Sequence, residues 1–151
     1  MSFAVLLKEC LAAFAGTVAF ALLFCVPKKY YILCGCIGVM SWVCFRLLMG
    51  PVGRMASVFL ASVLVVFLSR FCAVWESCPV TIFMVPGLFP LIPGAGIYWT
   101  IYELVMKNAA QAAATGFVAL QDTIAIVLGI VFVFELPQKM FKIARHKRKN
   151  G

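Results

Sequence analysis

Charge is scarce in this sequence: Asp, Glu, Lys and Arg make up 12% of its 151 residues, where a typical soluble domain carries about 25%. Acids are the scarcest, five against thirteen bases, and the one histidine, His146, lies between Arg145 and Lys147. A single histidine in a basic tail excludes the HExxH zinc motif and any histidine-based triad. GxSxG and the glycine-rich phosphate loop are also missing. An intramembrane protease would need a paired acid or an activated nucleophile, and neither occurs. The chain therefore reads as no enzyme, with no cofactor and no metal. Its seven cysteines contain no CxxC pair. Cys34 and Cys36 would stand about 200° apart on a helix, which prevents them from sharing one metal ion. Most of the seven lie in apolar runs, where cysteine acts as a small buried hydrophobe.

What the sequence has in excess is apolar side chains, 65% of the chain against about 45–50% in soluble proteins. That surplus has to face lipid. A span takes roughly 20 apolar residues, so this length holds about five spans. The expected fold is an all-α, polytopic helical membrane protein, with a transmembrane domain over 1–136 and a basic cytoplasmic tail over 137–151. The formal net charge of +8 does not indicate nucleic acid, because six of the thirteen bases are in that tail, at Lys139, Lys142, Arg145, Lys147, Arg148 and Lys149. Bases just after a span hold a terminus in the cytoplasm and meet anionic lipid head groups. The first apolar run ends at Phe24-Cys25-Val26-Pro27-Lys28-Lys29 with no small-x-small cleavage site, so it is expected to be a retained first span.

Charges and prolines mark the spans. The first is expected over Phe3 to Val26, the second over Tyr30 to Met49, ending at Gly50-Pro51-Val52-Gly53-Arg54, and the third over Met55 to Trp75. The last is expected from about Phe117 to Leu136, after an Ala-rich connection. Between Ser77 and Tyr102 no charge occurs, yet Pro86, Pro90 and Pro93 fall inside with Gly87, Gly94 and Gly96. A proline in a helix interior removes a donor and clashes with the preceding turn, at about 3 kcal/mol. The fourth span is therefore expected to be broken. Counting Lys and Arg does not separate five crossings from four with a re-entrant hairpin: both place nine bases inside and four outside. The uncharged length favours five.

Unpaired backbone at membrane depth is tolerated only inside protein or beside a water-filled cavity, and transporters use such broken helices to hold substrates. Gly94 and Gly96, just after Pro93, would open a second half-helix whose N–H groups face a carboxylate. Asp122, between Gln121 and Thr123, is the strongest ionisable candidate, since acids in hydrocarbon are costly and line pathways. It would pair with a substrate ammonium, carry a coupling proton, or cap the last helix near its start. Glu9, beside Lys8, is a secondary candidate with interfacial placement as the alternative, and Gln121 and Thr123 join it. Arg46 and Arg70 are expected to snorkel. Ala12 with Gly16, and Ala112 with Gly116, would let helices approach closely.

An early span closing at Val26-Pro27, the core Pro90-Leu91-Ile92-Pro93-Gly94-Ala95-Gly96-Ile97-Tyr98 and a final span with a basic tail together resemble the threonine/serine exporter (ThrE) family, specifically its small membrane subunit. The P-x-x-P-G-x-x-x-Y element is matched by Pro90, Pro93, Gly94 and Tyr98. The resemblance implies a larger partner subunit carrying a cytoplasmic domain and about five spans of its own. It also implies export of a small polar metabolite, threonine or serine, across a bacterial cytoplasmic (inner) membrane. A dicarboxylate such as succinate is one alternative substrate, and a structural or assembly protein without a path is another reading. Membrane lipids, the larger subunit, a small polar substrate and further copies of the chain are the expected partners; nucleic acid is not.

Overall fold

Three punctuation points cut the chain where its residues cannot continue a helix. In the computed structural model, which describes residues 3–136, α1 runs over Phe3–Leu23 and is followed by Cys25 at φ +54° and then Pro27. After a single 3-10 turn at Lys28–Tyr30, α2 (Tyr31–Val52) and α3 (Arg54–Glu76) are separated only by Gly53. Gly53 sits at φ +83° and ψ 169°, a region open essentially to glycine alone, and this one residue reverses the chain. Ser77 closes α3 in the left-handed conformation, its N–H and that of Cys78 returning to the Ala73 carbonyl, which satisfies carbonyls the helix leaves unpaired.

The broken fourth span is present. α4 covers Thr81–Leu88, a 3-10 turn follows at Phe89–Leu91, and α5 covers Gly94–Val105 after a 50° bend. The interruption is short, with the Gly94 N–H already bonded to the Ile92 carbonyl at 2.8 Å. The last helix, α6, departs from expectation: it spans Ala109–Glu135 and so includes the Ala-rich stretch. Alanine has the highest helix propensity, and small side chains here allow close contact with α5. A Cβ on Gly116 would lie 3.1 Å from Thr100, and one on Gly96 3.2 Å from Ala119. Among the described residues there are no strands.

The packing contacts give directions. Arg54 meets Asp122, Ser62 meets Gly129 and Arg70 meets Val133, so α3 and α6 run the same way with a nearly constant offset. Cys34 Sγ contacts the Ile82 carbonyl and Gly87 packs on Ile37, which sets α4 parallel to α2 and antiparallel to α3. A re-entrant hairpin would return the chain to the side it left and make α6 antiparallel to α3. The observed parallel pairing matches an α4–α5 segment that passes across. Four helices are long and apolar enough to span alone, and the bent pair passes the same test when its two helices are taken together as one span, which gives four to five candidate spans.

The core lies among α1 to α4, around fully buried Cys34, Ala61, Val65 and Phe83, with Phe83 edge-on to Tyr30 at 5.1 Å. The offset between α3 and α6 leaves Ala109 to Gln121 beyond the first residue of α3, a length of about 20 Å at 1.5 Å per residue. α5 lies along this overhang and has no buried residue. Together they form an arm splayed from the bundle. The basic tail, 137–151, lies outside the described residues.

Candidate functional site

The crotch between arm and bundle holds the polar chemistry. Arg54, the first residue of α3, reaches across to Asp122 in the middle of α6. Its Nε donates to Oδ1 and Oδ2 at 3.1 and 3.0 Å, and its Nη2 donates to Oδ2 at 2.7 Å. The partners differ in setting: the Asp122 side chain is 3% exposed and that of Arg54 is 49% exposed. This corrects the reading of Asp122 as a cap. The helix begins at Ala109, thirteen residues earlier than Asp122, so the carboxylate is an interior charge. A buried charge persists only when paired and hydrogen-bonded, which a forked guanidinium achieves better than any other side chain.

A second pair stands on the neighbouring wall. Glu9 of α1 accepts from Arg46 Nε at 2.9 Å and Nη2 at 3.1 Å, and from Trp42 Nε1 at 3.1 Å. Glu9 is thus held by Arg46 and Trp42 of α2. Arg70, also expected at the surface, is 6% exposed and donates to the Val133 and Leu136 carbonyls. It supplies positive charge where the α6 dipole is negative.

Two cavities meet at the Arg54–Asp122 pair. One, of about 430 Å³, lies on the bundle side against Trp42, Arg46, Val58 and Pro90. The other, of about 380 Å³, lies on the arm side against Gln111, Thr115 and Val118. Arg54, Pro93, Gly96 and Asp122 line both. Volumes of this size fall within the range of about 300–1,000 Å³ that small-molecule sites occupy. A largely apolar pocket with a few convergent polar groups is the usual form of such a site.

Of the residues singled out from the sequence, the structure brings Pro90, Pro93, Gly96 and Asp122 to these cavities. Gly94 faces open space. Tyr98 is 62% exposed and packs with Trp99 and Tyr102 on the outer face of α5. Thr123 is exposed and returns its hydroxyl to the Ala119 carbonyl at 2.9 Å. Gln121 is half-buried and lines neither cavity. The broken span thus contributes its proline corner and Gly96, not the aromatic end of its motif. Arg54, Arg46 and Trp42 are the residues sequence reasoning missed. Arg54 follows Gly50-Pro51-Val52-Gly53, which reads as a turn, and nothing local announces a partner 68 positions later.

A family model described as threonine/serine exporter, ThrE, matches residues 9–135. The chain belongs to the ThrE family. That range takes in both ion pairs, the broken span and all but the first residues of α1. No curated protein and no solved structure matches the chain. Membership in ThrE makes the chain a transporter-type, multi-pass membrane protein. Arg54 and Arg46 are suited to a carboxylate and Asp122 to an ammonium. Their present partners keep the site electrically balanced.

Proposed function

We propose that this chain is the membrane-embedded subunit of a secondary exporter of threonine or serine, acting with a larger ThrE-type subunit that supplies the cytoplasmic domain and about five further spans. The observation that carries this reading is the convergence of one paired arginine and one buried carboxylate on cavities walled by a broken helix. An α-amino acid presents a carboxylate and an ammonium on the same carbon atom, and a site with one fork donor and one buried acid beside it matches both. The broken corner at Pro90 and Pro93 adds backbone polar groups beside the cavity, where lipid would not satisfy them. On this reading the membrane is the bacterial cytoplasmic membrane, as expected of an exporter of this family, and the excess of Lys and Arg near the C-terminal end supports a tail that faces inside.

A dicarboxylate such as succinate is the second reading, favoured by the presence of two arginines, Arg46 and Arg54, on one cavity. Against it, each is matched by an acid, Glu9 or Asp122, so a dianion would displace two carboxylates at once. The test is efflux from cells preloaded with labelled threonine, serine or succinate, expressing this chain together with the larger subunit. Threonine or serine efflux that needs both chains, and that falls with Arg54→Gln, supports the proposal. Succinate efflux alone establishes the second reading. Co-purification of the two chains with no efflux of any of the three leaves the chain as an assembly protein.

A further inference from the structure

The two cavities adjoin at the ion pair. On the bundle side the lining comes from α2, α3 and the proline corner; on the arm side it comes from the overhanging half of α6. Only Arg54, Asp122, Pro93 and Gly96 belong to both. Gly96 has no side chain, and Pro93 is fixed by its ring. Arg54 is therefore the one long side chain in the shared wall.

Its position also distinguishes it. Asp122 sits mid-helix, 2% exposed, with helix on both sides. Arg54 is half-exposed at the first turn of α3, directly after Gly53, whose surroundings are open within 4 Å. The acid is held by helix on both sides, and the arginine reaches it from a helix end; a gate built on the pair would have Asp122 as its jamb and Arg54 as its leaf.

We propose that Arg54 and Asp122 form a charge-exchange gate between the arm-side and bundle-side cavities, opened by a small α-amino acid zwitterion. The inference deepens the proposed function and rests on it for the identity of the opening ligand. In the closed state each charge satisfies the other. When a zwitterion enters, its carboxylate takes the guanidinium fork and its ammonium takes the Asp122 oxygens. No buried charge is left without a partner, so separating the pair carries no uncompensated desolvation. A dicarboxylate satisfies Arg54 but brings a second anion up to Asp122, leaving the buried carboxylate unpaired and repelled. The exchange thus selects for the zwitterion at the step of opening, and a neutral polar solute has no charge to give to either side.

The experiment reads access rather than flux. In the full chain, with its seven native cysteines replaced, Val58→Cys reports the bundle-side cavity and Thr115→Cys the arm-side one. Val58 is 2% exposed and lines only the first; Thr115 lines only the second. In opened membranes, where both faces meet a membrane-impermeant maleimide, Thr115→Cys should react quickly and Val58→Cys slowly. Adding Asp122→Asn should raise the Val58→Cys rate by about tenfold or more, since a broken buried pair no longer holds the leaf. Asp122→Glu should leave it slow. Millimolar L-threonine should also raise it in the native pair, and succinate should not. Equal rates with and without Asp122→Asn, or opening by succinate as well as threonine, would overturn the gate. Should Asp122→Asn fail to give a monodisperse folded protein, the swap Arg54→Asp with Asp122→Arg takes its place. Slow Val58→Cys reaction there supports the gate, and fast reaction overturns it. The asparagine, glutamate and swap arms do not depend on which solute is exported, so a failed export assay and a failed gate are distinguished.

Discussion

Arg70 donates from its guanidinium to the backbone carbonyl of Val133, and again to that of Leu136 at 3.2 Å. A buried cation on α3 thereby closes the end of α6. The last carbonyls of a helix have no partner within it, and in hydrocarbon such orphans cost several kcal/mol each.

The first prediction follows from that contact. Arg70→Leu keeps an aliphatic side chain but removes the donors, so the end of α6 should fray while the rest of the bundle holds. Hydrogen exchange over residues 130–136 should accelerate, and α2 should be unaffected. A substitution that instead speeds exchange uniformly would show that Arg70 supports the whole fold rather than one helix end.

Glycine spacing supplies a second prediction with an internal control. A Cβ on Gly129 would overlap the Ser62 side chain and come to 3.1 Å from the Phe59 carbonyl oxygen. Backbone does not yield cheaply, so Gly129→Ala should destabilise by about 1–3 kcal/mol through overpacking. A Cβ on Gly50, inside α2, meets nothing within 4 Å. Gly50→Ala should be neutral or should stabilise by up to about 1 kcal/mol, because alanine restricts the unfolded chain and favours helix. Denaturation in mixed micelles, with both variants run side by side, measures the difference.

The sequence pattern carried the fold well where the signal was a single residue type with a strong local effect. Pro90 and Pro93 announced the break in the fourth span, while Pro86 stands inside α4 without interrupting it, and the charge gaps located α1 to α3 to within a few residues. It carried less where two distant segments decide together. The stretch from Asn108 to Gly116 holds many alanines and no large apolar residue, so it looked like a connection, yet alanine is both the best helix former and the smallest surface for α5 to pack on. Moving the start of α6 back to Ala109 moved Asp122 from a helix end to a helix middle. Arg54 was hidden for a related reason: a base after a Gly-Pro-Val-Gly turn has the appearance of a solvated loop charge. Only the offset between α3 and α6, set by contacts far down both helices, brings it level with Asp122. Tyr98 illustrates the opposite error, since membership in a motif does not say which side of a helix faces the cavity.

The unequal exposure of Arg54 and Asp122 yields a third prediction. Arg54→Gln strands a carboxylate that is 2% exposed, and removing one partner from a buried pair costs about 3–5 kcal/mol. Asp122→Asn strands a guanidinium that is already half in contact with the surroundings, and exposed partners contribute about 1 kcal/mol or less. The order of stability should therefore be wild type, then Asp122→Asn, then Arg54→Gln. The double variant removes both charges and should recover much of what Arg54→Gln loses, a coupling that a double-mutant cycle reads directly. Equal losses from the two single variants would show that the pair is far less asymmetric than its geometry.

The Glu9 cluster provides the last prediction. Its carboxylate accepts three hydrogen bonds, two from Arg46 and one from Trp42, and both donors line the bundle-side cavity while Glu9 itself does not. Glu9 is thus a positioning residue: it aims Arg46 and neutralises it. Glu9→Gln keeps the size and one acceptor but removes the negative charge that faces Arg46 beside the cavity. For the co-expressed pair of subunits, threonine efflux should fall, whereas competition by succinate should strengthen, because Arg46, no longer facing the Glu9 carboxylate, adds positive charge that favours a dianion. Arg46→Gln in the same background should abolish that new succinate sensitivity. The expected effect is a change in the ratio of the two solutes of about tenfold, the size a single charge-assisted hydrogen bond supports at about 1.5–3 kcal/mol. A uniform loss of both activities would instead mean that Glu9 serves only to join α1 to α2.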